Sequence, residues 1–449
     1  MCLLPHPCRT ARPTTKYPMP KLNHESERVE RYTLKRLEHL QRLVPLLCAD
    51  PRDPRGRRHD FAEMVVLLVV AVLSGCKSIR DAERLSQALG AGRYGDGISD
   101  GALRHILKLL SPEALEPVLA VLVKRAARRK ELRPVGLRQH WVAIDGKYVT
   151  LKHHAAGTAR RIEHQGGVYW RLGFLRAALV SCAGRFALGQ LVMDPARAEV
   201  SSAWSFAQKL RSMYGDLCTN FTVDAGVWSK ALFRDFDQAD LGLFAGLKDN
   251  KPELLREASR VLRTERRTRA AAAQEVERYR GKTITRRLWR TDKLNGYDGW
   301  TNLRQVVLVE QTTYGSDGSP PSVEHRYFVT NVPRGHLTAR EALLLVRRHW
   351  SIENDLNWTF DVQFGEDDGR WCTANHAVAV LGIIRMIALN VLQALRKRHV
   401  RRPRRQPHRT PARTQTTPLP WRTLFEIVRD VLVCHAAARP PPGTTIALE

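Results

Sequence analysis

Arg347-Arg348-His349-Trp350-Ser351-Ile352-Glu353-Asn354-Asp355-Leu356-Asn357-Trp358 is the stretch on which the reading of this chain turns. It reads as a helix. Thr338 followed by Glu341 is a capping-box start, with Leu337 and Ala342 where a weak hydrophobic staple would sit. Val346, Trp350, Glu353, Asn357 and Phe360 then recur at spacings of three and four and share one helical face. A carboxylate in so apolar a stripe is costly unless a cation, a metal or a hydrogen-bond donor meets it. His349 and Asn357, one turn to either side, can serve. Taken alone, the stretch reads as a structural contact between Glu353 and His349. Two aspartates far upstream change that reading.

At Trp141 the periodicity changes from helix to strand. Trp141-Val142-Ala143-Ile144-Asp145-Gly146 is a short apolar run ending in a carboxylate and a glycine, and Phe221-Thr222-Val223-Asp224-Ala225-Gly226 repeats the design. Between them, 172–180 and 185–192 read as strands around a turn at Ala183-Gly184, and 198–214 as a helix. Residues 241–247 form a third such strand, running into Lys248. One strand ending in aspartate is weak evidence, because turns favour that residue. Two, separated by a hairpin and a helix, can lie side by side in a mixed α/β sheet, where ligands gather at strand ends. Neighbouring carboxylates repel unless a divalent cation lies between them. Oxygen-only ligands suit magnesium or manganese. A glutamate from a packed helix completes a two-metal site, which activates one oxygen and stabilises the leaving one.

The composition says what such a site acts on. Lys plus Arg is 73 and Asp plus Glu is 45 in 449 residues, a formal charge of +28. That excess calls for a polyanion, and nucleic acid is the default, because basic side chains gain by displacing counterions from phosphates. A membrane surface is the weaker option, since no basic amphipathic anchor stands out. The most apolar run, 64–74, is too short to span a bilayer. Eight scattered cysteines include no CxxC pair and no zinc spacing, so reduced thiols in a cytoplasm are expected.

Along the chain, 1–30 reads as a disordered basic leader and 31–132 as a helical domain. Within it the capped helix from Ser99 carries Arg104, His105 and Lys108 away from an apolar side of Leu103, Ile106, Leu107 and Leu110. Helix-turn-helix DNA reading and an ordinary helical fold remain equally open there. Lys147 and Lys248 follow the sheet strands, where phosphate contact is one reading and a solvated lysine the other. Trp289 and Trp300 either pack in the core, the commoner use, or stack on an unpaired base. Asp361, Glu366 and Asp367 fall off the Glu353 stripe or past Gly365 and read as supporting or surface groups. Residues 376–395 form a long apolar helix. From 396 to 413 nine Lys or Arg and no acid make a basic DNA-binding tail, and 421–436 reads as a last short helix.

The ordered set Trp141-Val142-Ala143-Ile144-Asp145-Gly146-Lys147, Thr222-Val223-Asp224-Ala225-Gly226, Leu247-Lys248-Asp249-Asn250 and Arg348-His349-Trp350-Ser351-Ile352-Glu353-Asn354 resembles the DDE transposases of bacterial insertion sequences. The H-repeat-associated branch, with a helical transposase-associated domain, is the nearest in pattern. The resemblance covers roughly 35–395. It implies a ribonuclease H-like catalytic domain over 138–395 with a β-rich insertion at about 251–335, preceded by an all-helical domain. It implies Asp145, Asp224 and Glu353 as ligands of two Mg2+ ions, with Mn2+ able to substitute. The partners it implies are double-stranded DNA, as terminal inverted repeats and target, and a second copy of the chain on paired ends. Val346, His349 and Phe360 stand where related transposases carry tyrosine, arginine and lysine. Arg347, Arg348 and His349 are the candidates for the missing phosphate contacts. The alternatives are a non-catalytic DNA-binding protein and a structure-specific nuclease on the same fold.

Overall fold

The computed structural model describes residues 24–449 except 90–96, 152–157, 165, 195–198, 280, 316–318, 373, 399, 402–416, 419 and 438–449. Most of the expected basic leader and most of the basic tail therefore lie outside the described residues. The chain begins with α1 (His24–Leu47), α2 (Phe61–Leu73), α3 (Ile79–Leu89), α4 (Asp100–Leu109) and α5 (Pro112–Arg128). Their starts follow from local chemistry. The Asp60 side chain accepts from the Glu63 amide, Ser99 from Ala102 and Ser111 from Ala114, and Pro112 opens α5 where no amide hydrogen is needed. Every residue of α2 except Glu63 is buried. The helix is apolar all round because neighbours cover it on all sides.

The sheet begins with β1 (Val142–Leu151), β2 (Ala159–His164), β3 (Gly167–Leu179) and β4 (Phe186–Val192). It continues through α6 (Glu199–Tyr214), β5 (Asn220–Val223), α7 (Lys230–Gln238) and β6 (Gly242–Leu247). The 251–335 region supplies α8 (Pro252–Thr268), β7 (Ala273–Tyr279), β8 (Lys282–Thr291), β9 (Gln305–Tyr314) and β10 (Ser322–Thr330). Then come α9 (Ala339–His349), two π-helical turns (Ile352–Asn357 and Thr359–Gln363), α10 (Asn375–Arg398) and α11 (Trp421–Ala437).

The result is a mixed α/β architecture around one ten-stranded sheet of order β2-β3-β1-β5-β6-β10-β9-β8-β7, with β4 on β3. The β4-β3-β1 part is antiparallel, and β5 and β6 run parallel to β1. The strands of the 251–335 region are not a separate sheet. They continue the first one, because β10 pairs with β6 from Phe244 to Leu247. Strands β2 and β7 have no counterpart in the sequence reading. Their residues Arg160, Arg161 and Glu163, and Glu275 and Glu277, interrupt the apolar alternation that marks a strand.

Helix α10 is the hub. It packs on α2, α4 and α5 and on β4, joining the N-terminal helices and the sheet into one contiguous apolar core. Its stretch His376–Arg396 is long and apolar enough to cross a membrane, but the apolar window within it is buried inside the fold.

Candidate active site

Strand register brings the two aspartates together. β1 and β5 pair in parallel through Val142–Phe221, Ala143–Thr222 and Ile144–Val223, so Asp145 and Asp224 are the next pair along, on the same face. Asp145 is not at a strand end as the sequence suggested. β1 runs on to Leu151 because β3 pairs with it as far as Trp170. On its other side Asp145 faces Arg176 of β3, and Arg176 faces Gln190 of β4. Beyond Asp224 the row reaches Gly246 of β6, then Phe328 of β10. A methyl group at Gly246 would lie 3.3 Å from the Ala225 nitrogen and 3.5 Å from Asp224 Oδ1, so glycine there leaves Asp224 its space.

Glu353 arrives from above the row. The capping box forms as read: Thr338 Oγ1 accepts from the Glu341 amide, and Glu341 accepts from the Thr338 amide. The α-helix then stops at His349, and the chain continues in wide π turns. The expected single stripe is therefore broken. Asn357 and Phe360 are buried as expected, but Glu353 is exposed rather than sunk among apolar side chains. The regular helix has already ended at the Trp350 cap, so the pitch that the spacing assumes does not carry through to Glu353. Its carboxyl is nonetheless raised above its usual range, first by the protein packed around it and then by the Asp224 carboxylate.

Among the described residues no three His, Cys, Asp or Glu side chains converge tightly enough as they stand to hold a metal ion. The donor set still fits a hard divalent cation. Three carboxylates from three elements border one row, with only oxygen to offer. Positive charge is already drawn there, since Lys248 Nζ lies 3.3 Å from Asp224 Oδ1. A cleft of ≈ 410 Å³ opens beside Asp224, walled by Lys248, Trp350, Arg326 and Tyr327.

The basic candidates divide. Lys248 faces the cleft and is exposed. Lys147 is only 15% exposed and is claimed by Asp361 at 2.7 Å and Asp367 at 3.2 Å, so it is not free to meet a phosphate. Arg347 is bound by Glu275 and Glu277 of β7 and braces that strand. Arg348 donates to the Ser181 carbonyl at 2.6 Å, and burial lowers its pKa to about 10. His349 lines the inner wall of the cleft, buried beside Thr222 Oγ1 at 3.3 Å, and desolvation lowers its pKa to about 4. Arg104 is half-buried, 3.5 Å from Asp100 and 3.4 Å from the Trp371 carbonyl, whereas His105 and Lys108 are exposed. Trp289 and Trp300 are 6% and 5% exposed, so neither can stack on a base. Trp289 donates to the Arg269 carbonyl, and Trp300 packs against Trp228 and Phe233.

The sequence reading missed Arg176 and Arg385. Both are buried, and both donate to the buried Glu366, at 2.7 Å and 3.2 Å. The signal was one arginine inside the apolar run Leu175-Arg176-Ala177-Ala178-Leu179.

Residues 139–391, more than half of the chain, match the family model described as a transposase DDE domain. The chain belongs to that family. The transposase DDE core thus begins just before β1 and ends within α10, the span that holds Asp145, Asp224 and Glu353. The chain is 32% identical over 95 residues to the H repeat-associated putative transposase YhhI of Escherichia coli K12, covering 21% of this chain and 24% of that one. It is 33% identical over 95 residues to the putative transposase YncI of Escherichia coli O157:H7, covering 21% and 23%. The match thus spans about a quarter of the length of these relatives. A longer match, 25% identity over 303 residues, covers 64% of this chain and 92% of an uncharacterised protein from the dhlA 3′ region of Xanthobacter autotrophicus. Likeness to the piggyBac transposase synaptic complex with hairpin DNA is remote, with a TM-score of 0.41 at 10% identity over 94% of this chain and 84% of that one.

Proposed function

We propose that this transposase cuts phosphodiester bonds at the inverted-repeat ends of its own insertion sequence and joins the 3′ ends to target DNA. The observation that carries the reading is the Asp145–Asp224 register pair, bordered by Glu353, in a chain of the transposase DDE family. The strand order supports a ribonuclease H-like catalytic domain: a three-stranded antiparallel meander, β4-β3-β1, extended by two strands parallel to β1. Helices α1 to α5 form the helical portion that would hold the ends, with Lys108 and His105 of α4 as the exposed groups best placed to reach a groove. A dimer on paired ends, with no membrane involved, completes the assembly.

Asp145, Asp224 and Glu353 would hold two magnesium ions, or manganese in their place. Bound there, the metal supplies Lewis acidity at the scissile phosphate and lowers the pKa of the attacking oxygen. The protein's own groups do the rest. Lys248 lines the cleft, is exposed and can take phosphate oxygens, while Arg326, forked onto Glu324 at 2.8 Å and 3.0 Å, lies over the Trp350 ring at the cleft wall. Charge on the phosphodiester is met by positioned cations, which is most of what phosphoryl transfer asks of a protein.

The test uses purified protein and a supercoiled plasmid carrying this reading frame with its native flanking DNA. Magnesium-dependent nicks at the borders of inverted repeats, followed by joining of the cut ends to a second plasmid, are expected. Nicks without joining would make the protein a nuclease on this fold. Binding without nicks would make it a DNA-binding protein only.

A further inference from the structure

Asp145 is backed by a buried chain of polar groups that neither the triad nor the DNA contacts use. Asn357 Nδ2 donates to Asp145 Oδ2 at 3.4 Å. Arg176 Nη1 donates to Asn357 Oδ1 at 3.2 Å, and Arg176 Nη2 to Glu366 Oε1 at 2.7 Å. Arg385 Nη1 reaches the same Glu366 oxygen at 3.2 Å. Asn357, Arg176, Glu366 and Arg385 are all buried. The Arg176 guanidinium lies over the Phe360 and Phe174 rings, 4.7 Å and 5.4 Å from their centroids. It is thus held by aromatic rings and by the hydrogen bonds to Glu366 and Asn357.

The polarity of the chain allows one orientation only. Arginine has donors and no acceptor, and an ionised carboxylate has acceptors and no donor. Arg176 therefore fixes the Asn357 oxygen toward itself, which turns the amide NH2 toward Asp145. Placing two guanidiniums and a carboxylate in the core is expensive, and apolar replacements would pack there at no such cost. An arrangement of this kind calls for a purpose beyond stability.

We infer that Glu366, Arg176 and Asn357 form a positioning relay that sets the orientation of the Asp145 carboxylate for cation binding and strand cleavage. The inference rests on the reading of Asp145 as a catalytic ligand. None of the three touches DNA or the reacting atoms. Their effect passes through Asp145, in the way that outer hydrogen-bond partners orient metal ligands elsewhere. Asn357 lies in the first π turn and Glu366 just past the second, so the relay also ties Asp145 to the element that carries Glu353.

The experiment compares Asn357→Leu, Asn357→His, Arg176→Lys and Asp145→Asn with the parent protein. Leucine keeps the volume and removes both hydrogen bonds. A neutral imidazole has one donor and one acceptor nitrogen and can restore the relay. Lysine at 176 keeps the charge but loses the fork that serves Glu366 and Asn357 together. Three quantities are read: Mn2+ affinity by electron paramagnetic resonance of the free ion, the single-turnover nicking rate on the plasmid, and duplex affinity. Asn357→Leu and Arg176→Lys should each lose about 10–100-fold in Mn2+ affinity and nicking rate, with duplex affinity near that of the parent and a melting temperature lowered by a few degrees, because each leaves buried polar groups unpaired. Asn357→His should regain most of both losses. If Asn357→Leu folds and binds Mn2+ as tightly as the parent, the relay is overturned. Equal loss in Asn357→His and Asn357→Leu also overturns it, leaving Asn357 a packing residue. Nicking at the parent rate by Asp145→Asn would instead overturn the function proposed for the site, so the two failures are distinguishable.

Discussion

Asp145 and Asp224 meet through a hydrogen-bond register that spans 79 positions of sequence, and Glu353 joins them from a further 129. At this scale the expectation is that Asp145→Asn, Asp224→Asn and Glu353→Gln each abolish magnesium-dependent nicking while leaving duplex binding near the parent level. The losses should not add in double variants, because such groups act as a unit. Gel analysis of nicked plasmid checks the first point and duplex titration the second. Near-parent nicking by any one variant would remove that residue from the set. Gly246 gives a subtler test. Gly246→Ala places a methyl group against Asp224 and the Ala225 nitrogen, so nicking should fall severalfold at unchanged melting temperature. A variant as active as the parent would show that Asp224 has room to move.

At the scale of elements, the start of α9 is tied to the segment entering β1. Glu341 accepts from both the backbone amide and the guanidinium of Arg138 as well as from Thr338. Burial alone would raise the Glu341 pKa, but the Arg138 and Thr338 hydrogen bonds outweigh it and bring it down to about 2. A carboxyl whose pKa is lower folded than unfolded stabilises the fold above its unfolded value and loses that contribution as pH falls toward the folded one. Acid melting between about pH 4.5 and 2 should therefore be less steep in Glu341→Gln than in the parent. Matching pH dependence in thermal melts would refute the linkage. Thr338→Ala should cost about 1 kcal/mol.

The exposed face of the β1–β3 arm carries its own expectation. Arg160 and Arg171 are paired across β2 and β3, and Arg171 lies over the Tyr148 ring at 5.6 Å. Arg160→Ala with Arg171→Ala should weaken binding to any duplex and reduce the salt slope. An unchanged slope would mean that this arm does not meet DNA.

The elements themselves were largely legible. Ser99 and Thr338 announced their helices, and the apolar runs before Asp145 and Asp224 announced their strands. Glu353 was expected on a buried stripe and is exposed instead, because a spacing argument assumes one helical pitch and cannot see where the regular helix ends. The cations around the site were the least legible. Whether Lys147 or Arg347 is free depends on Asp361, Asp367, Glu275 and Glu277, partners that sequence spacing alone does not bring near.

For the whole molecule, the decisive feature is α10, which covers α2, α4, α5 and β4 but lies at the far end of the chain. During synthesis α2 leaves the ribosome more than 300 residues before the helix that covers it. Helices α1 and α3 can pack on it early, but the side of α2 that α10 covers, in a helix with twelve of thirteen residues buried in the finished fold, stays open through that interval. At roughly 5–20 residues per second the delay is tens of seconds, long enough for a holding chaperone to bind. A nascent chain halted at residue 370 should thus be captured by such a chaperone or precipitate. One extended past α10 should become resistant to protease across α2.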